Sequence, residues 1–103
     1  MAKLVRQQIQ EIIDTGGNFF RADLSGLDLS EFDFRNADLR EANLTGTSFR
    51  GGRLMGADLR GAILKGTDLR DTNLNAAKAD LHAFDGAIYD SDTRWPNGRK
   101  GMR

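Results

Sequence analysis

The chain has 103 residues, enough for one domain with a thin core. It has no Cys and a single Pro, so a disulfide framework and a thiolate zinc site are excluded. Fifteen basic and fifteen acidic side chains cancel, which removes any global attraction to nucleic acid or an anionic membrane. The balance is uneven along the chain. Residues 16–92 carry nine basic and thirteen acidic groups, whereas the end from Thr93 holds Arg94, Arg99, Lys100 and Arg103 with no acid. That end is expected to be a solvated, frayed tail. No stretch approaches the ~18 apolar residues of a membrane span. The longest early apolar run is two residues, too short for a secretory signal. A cytoplasmic location is therefore expected.

Ala2 to Thr15 predicts a helix. Leu4, Val5, Ile9, Ile12 and Ile13 recur at helical spacing, and Lys3, Arg6, Gln7, Gln10, Glu11 and Asp14 mostly take the other face. Gly16 and Gly17 supply the left-handed residues that end a helix. A helix of roughly 13 residues is marginal alone, so its apolar stripe needs a surface to pack on. Its polar face is neutral, unlike that of a membrane-surface or calmodulin-target helix. The expected role is to cap the remainder of the chain.

From Gly17 the chain is written in fives. Leu or Phe stands at 19, 24, 29, 34, 39, 44, 49, 54, 59, 64, 69 and 74. Ala79 then replaces the large residue, Leu81 falls out of phase, and Phe84 and Tyr89 resume the register. This makes fifteen consecutive fives from Gly17 to Ser91 without an insertion, with a local slip near Ala79–Leu81 left open. Neither a strand nor a helix keeps every fifth residue on one face. A short fixed period marks a solenoid, with each five forming one side of a coil. The central Leu or Phe points to the axis. The Ala, Thr or Gly two places earlier must also point inward, where larger side chains would collide. The remaining positions are polar and face out, and the frequent Gly before the next side suits a tight corner.

The fives ADLRE, ANLTG, ADLRG, TDLRD and TNLNA resemble the pentapeptide-repeat family, whose pattern is A-(D/N)-L-x-x. The resemblance covers Gly17 to Tyr89, and GAIYDSDTRWP at 86–96 is similar to a common ending of such domains. It implies an all-β solenoid, a right-handed quadrilateral β-helix with four fives per coil. Fifteen fives then make just under four coils, a prism roughly 20 Å long at ~4.8 Å per rung. The chain divides into an N-terminal capping α-helix (1–16), the repeat β-helix (17–91) and a C-terminal cap with basic tail (92–103). Trp95, followed by Pro96, is expected to cover the second end. Leu27 and Phe32 are large where Ala is expected, in the coil next to the helix. His82 takes the same inward kind of position in the last coil, as a terminal, hydrogen-bonded residue.

Function must then lie on the outward rows. By register Arg40 stacks over Arg60 on one side, and Arg50 over Arg70 on the opposite side. Asp38, Asp58 and Asp68 precede three of these by two residues, so mutual neutralisation on a solvated surface competes with an Arg-using protein-binding face. Phe20, Met55, Ile63 and Ile88 are apolar at outward positions. Phe20 is expected to pack under the helix and Ile88 near Trp95. Met55 and Ile63, read as lying on adjacent sides of the third coil, have no such cover. The candidate contact surface is thus Met55, Ile63, Arg40, Arg60, Arg50 and Arg70.

One His, no Cys and no convergent Ser/His/Asp grouping leave no expected catalytic residue, cofactor site or metal site. Gly61 to Thr67 lacks the Lys after the second Gly that a phosphate loop needs. The expectation is a non-catalytic module with an unidentified protein partner, no nucleic acid and no membrane. It would be a monomer or a homodimer through the Tyr89–Trp95 end. The resemblance carries one alternative, since quinolone-resistance members of the family act as DNA mimics that protect topoisomerase. That use needs a long acidic rod, and the outward rows here mix Arg with Asp.

Overall fold

The computed structural model of the chain describes residues 4–101. Among these residues one helix forms, α1, spanning Arg6–Asp14. The positions Ala2 and Lys3, also read as helical, lie outside the described residues. The Val5 N–H donates to Gln8 Oε1 at 2.9 Å, which satisfies one orphan donor of the first turn. At the other end the Gly17 N–H reaches Ile12 O at 2.8 Å and the Gly16 N–H reaches Ile13 O at 3.3 Å. This is the Schellman pairing, and it uses the positive φ of Gly16 and Gly17. The apolar stripe packs on the first coil. Ile9 is buried in the main core, and Leu4, Ile12 and Ile13 pack against it half-covered. Arg6 lies over the Phe32 ring at 4.9 Å and forms an ion pair with Glu31.

From Asn18 onward the chain winds as a four-sided prism held by parallel single-residue bridges. The first side carries Asn18, Asp38, Asp58 and Lys78, and the second Asp23, Asn43 and Ile63. The third carries Asp28, Ser48, Asp68 and Ile88, and the fourth Asp33, Arg53, Asn73 and Arg94. Each corner is a turn in which the N–H three residues after a central Leu or Phe returns to its carbonyl, as in Ala42 N–H to Leu39 O at 3.1 Å. At most corners the third residue of that turn has positive φ, whether Gly or one of Arg21, Asn36, Glu41, Asp71 and Ala76; Glu31 and Gly86 do not. The cross-section is nearly square, 22 × 21 Å, and the long axis measures 33 Å. Stacked rungs account for roughly 20 Å of that length; α1 and the tail supply the rest.

Every central residue from Phe19 to Leu74 is at most 3% exposed. Phe34 bridges the ladders, with its ring 5.3 Å from both Phe19 and Phe49. The small inward row is largely buried, with Ala22, Leu27, Ala62 and Ala87 partly covered, and its four buried Thr residues solve a polar problem. Thr47, Thr67 and Thr72 donate their hydroxyls to Leu24 O, Leu44 O and Phe49 O at 2.7–2.8 Å, and Thr93 donates to Leu69 O at 2.8 Å. A buried hydroxyl is tolerated there because it always meets a carbonyl one coil below.

The register differs from the sequence expectation in two places. Near Ala79 there is no slip, because Lys78 and Ile88 still bridge residues twenty positions earlier. Residues 81–86 instead form successive turns, in which Leu81 and His82 are exposed while Phe84 stays in the core. His82 is therefore not inward; it is exposed, has φ 67°, and its Nδ1 faces Asp85 Oδ2 at 3.2 Å. The insertion lies later, since Arg94 bridges Asn73 twenty-one positions back. Trp95 consequently takes the central position above Leu74, and Thr93 the small position above Thr72. Trp95 is 7% exposed and packs on Phe84 and Tyr89 with ring centroids 5.3 and 5.1 Å away. It is the last core residue as well as the end of the stack.

Candidate functional site

Where the residue before a central Leu or Phe is Asp, Asn or Ser it has a specific task, which Arg53 and Ile63 at the same kind of position do not share. Its side-chain oxygen accepts the backbone N–H two residues on. Asp23 Oδ1 takes the Ser25 N–H at 3.1 Å, Asn43 Oδ1 that of Thr45 at 3.1 Å, and Asn73 Oδ1 that of Asn75 at 3.0 Å. These are Asx turns that satisfy an outward N–H the rungs leave unused. Where the residue two on is Arg, the same carboxylate also receives the guanidinium. Asp33–Arg35, Asp38–Arg40, Asp58–Arg60 and Asp68–Arg70 close such forks at 2.6–2.8 Å. Side-chain bonding from Arg35 and from Arg60, opposed by partial burial, holds Asp33 and Asp58 down at about 2. Asp38 and Asp68 are lowered by the same cause, bonding from Arg40 and Arg70.

The predicted contact residues are spread over all four sides. Arg40 and Arg60 stack on the first side and Arg70 stands on the third, all three held in forks. Arg50, also on the third side, follows Ser48 instead of Asp; its N–H bonds Ser48 Oγ at 3.3 Å, and it makes no ion pair among the described residues. Met55 is half-buried, and its carbonyl accepts the Asn36 N–H at 2.9 Å. Ile63 is 52% exposed. Met55 follows the fourth-side bridge residue Arg53, whereas Ile63 belongs to the second-side ladder, so the two lie on opposite sides and not adjacent ones. Two fives separate their central residues, which already places them across the prism.

Phe20 also departs from expectation. It does not pack under α1 but stays on the first side, where the guanidiniums of Arg21 and Arg40 lie 5.1 and 5.2 Å from its ring centroid. These two cation–π contacts extend the Arg40–Arg60 row with an aromatic rung. A Phe standing one rung below an Arg, twenty residues apart, is the sequence signal for it. Ile88 remains 47% exposed. Ile63 occupies a position where Asp or Asn normally accepts an N–H, and the corresponding Lys65 N–H has no protein acceptor among the described residues. Ile63 thus gives up a hydrogen bond and exposes apolar surface at once.

Among the described residues no three His, Cys, Asp or Glu side chains are grouped to hold a metal ion, and no helix is long and apolar enough to cross a membrane.

Parallel single-residue rungs, Asx turns and left-handed corners define a solenoid of stacked five-residue sides. The sequence pattern of the pentapeptide repeats matches it in eight copies, over residues 18–54 and 53–88. The chain belongs to the pentapeptide-repeat family. Among solved structures it is similar to the pentapeptide repeat protein alr5209 from Nostoc PCC 7120, at 30% identity over 90% of this chain and 85% of that one, with a TM-score of 0.69. It is also similar to HetL, a pentapeptide repeat protein involved in heterocyst differentiation regulation from the cyanobacterium Nostoc sp. strain PCC 7120. That match has 31% identity and a TM-score of 0.56, and covers 81% of this chain but 42% of HetL. These neighbours identify the prism as a right-handed quadrilateral β-helix. No curated protein matches the sequence.

Proposed function

We propose that the chain is a non-catalytic protein–protein interaction module. It is a rigid prism of about four coils, capped by α1, whose side faces hold another protein in the cytoplasm. Ile63 carries this reading, because it forgoes the Asx acceptor that neighbouring sides keep and presents an exposed branched side chain instead. HetL supports the reading as a family member described by a regulatory involvement. DNA mimicry is less well supported, because the Arg–Asp forks cancel the carboxylates that would imitate a row of phosphates.

Arg50 tests the third side cleanly, since it holds no fork to break. Arg50→Glu should leave the melting temperature unchanged and weaken capture of partners by the purified chain, read by quantitative mass spectrometry. An identical partner set with unchanged occupancy removes the third side from the contact surface.

A further inference from the structure

The last coil is closed unevenly. On the fourth side the tail turns back over it. Arg94 and Lys100 form an antiparallel bridge, the Trp95 N–H donates to Arg99 O at 2.8 Å, and the Gly101 N–H donates to Thr93 O at 3.0 Å. Trp95 Nε1 adds a bond to Gly101 O at 2.6 Å. The edge of the last coil is thus competent to take an added extended segment, and one side already does.

On the first side no described residue is added. In the coil below, the Leu59 N–H donates to Lys78 O at 2.7 Å, Ala57 O accepts the Lys78 N–H at 2.8 Å, and the Gly61 N–H donates to Asp80 Oδ2 at 2.6 Å. The equivalent groups one rung later are the Ala79 N–H, Ala77 O and the Leu81 N–H. None has a partner among the described residues. They alternate along an extended path, which is the pattern that strand addition reads.

An open cleft of about 790 Å³ lies over this edge. Phe84 and Trp95 line it, as do the Leu81 side chain, 87% exposed, and Arg99 and Lys100. Neither Arg99 nor Lys100 makes an ion pair among the described residues. The acids nearby are engaged: Asp80 accepts the Gly61 N–H and Asp85 faces His82. Among the residues lining the cleft Arg99 and Lys100 outnumber the single carboxylate of Asp80, so the rim is net positive.

We infer that the Ala77–Leu81 edge receives an extended acidic peptide segment of a partner protein by strand addition. Its backbone pairs with Ala77, Ala79 and Leu81, an apolar side chain lies over Phe84 and Trp95, and a carboxylate faces Arg99 and Lys100. A second copy meeting this end about a two-fold axis would bring two basic rims together, which disfavours it against an acidic strand. This end is separate from the side faces of the prism, and the inference does not rest on them.

Trp95 is the only Trp in the chain, so its fluorescence reports the cleft. The intact chain is titrated with the blocked peptide acetyl-Glu-Leu-Glu-Val-Glu-amide, with the Lys-for-Glu peptide as control. The expected result is a saturable change at Trp95 together with shifts of the Ala79 and Leu81 amide resonances. The double variant Arg99→Glu/Lys100→Glu, altered only at exposed side chains, should bind about fivefold or more weakly. Absence of saturation, equal binding of the Lys peptide, or undiminished binding by the double variant overturns the inference. So does a doubling of mass by light scattering that shifts the same two amides without peptide, because the occupant is then a second copy.

Discussion

Asp58 shows how a single outward position serves both the fold and the surface. Its carboxylate accepts the Arg60 N–H at 3.2 Å and Arg60 Nε at 2.9 Å, so one side chain secures the backbone and orients a cation. The folded carboxylate titrates at about 2, against ~3.9 for an unperturbed Asp. A depressed folded value contributes stability that is present above the unfolded value and lost as pH falls through the folded one. With Asp33, Asp38 and Asp68 shifted the same way, resistance to denaturant should decline between about pH 4 and pH 2. Guanidinium midpoints at pH 5 and pH 2.5 would show it. Asp58→Asn keeps the turn acceptor, as Asn43 and Asn73 do, but loses the fork. Its midpoint should fall less between the two pH values than that of the unaltered chain, and an equal fall would mean that the fork has no part in acid sensitivity.

At the scale of the repeated side, the inward ladder was almost wholly legible in the sequence. Most fives repeat one geometry: a central side chain on the axis, a small one two earlier, and a left-handed corner two later. Local sterics therefore write the fold into each position. The departures were less legible because they replace that geometry with other contacts. Thr93–Arg94–Trp95 repeats the form of Thr72–Asn73–Leu74 one residue late, and a search for Thr-x-large would have found the insertion. The run of turns at 81–86 was hidden because Phe84 keeps its place in the count while Leu81 and His82 are exposed. The Asx task of the outward Asp and Asn is not legible from polarity, because a solvent-facing position is polar with or without that bond. Leu59 is fully buried between Leu39 and Ala79 in the first-side ladder. Leu59→Ala should cost ~2–5 kcal/mol in chemical denaturation, a large share of the ~5–15 kcal/mol available to a domain of this size. A loss under ~1 kcal/mol would mean that the core collapses around the gap.

For the whole molecule, the proposed contact function falls on the few positions that break the pattern of the prism. Phe20 meets two guanidiniums, Met55 is half-buried, and Arg50 lacks its carboxylate. Ile63 alone among these gives up a local hydrogen bond while remaining more than half exposed. The central claim is that this position is kept for contact at the expense of stability. Ile63→Asp restores the Asx acceptor for the Lys65 N–H, so it should raise stability by ~0.5–1.5 kcal/mol. The decisive measurement reads denaturant stability and partner capture on that one variant. The account predicts a more stable chain that retains less partner. A chain that is more stable and captures the same partners equally well would contradict it.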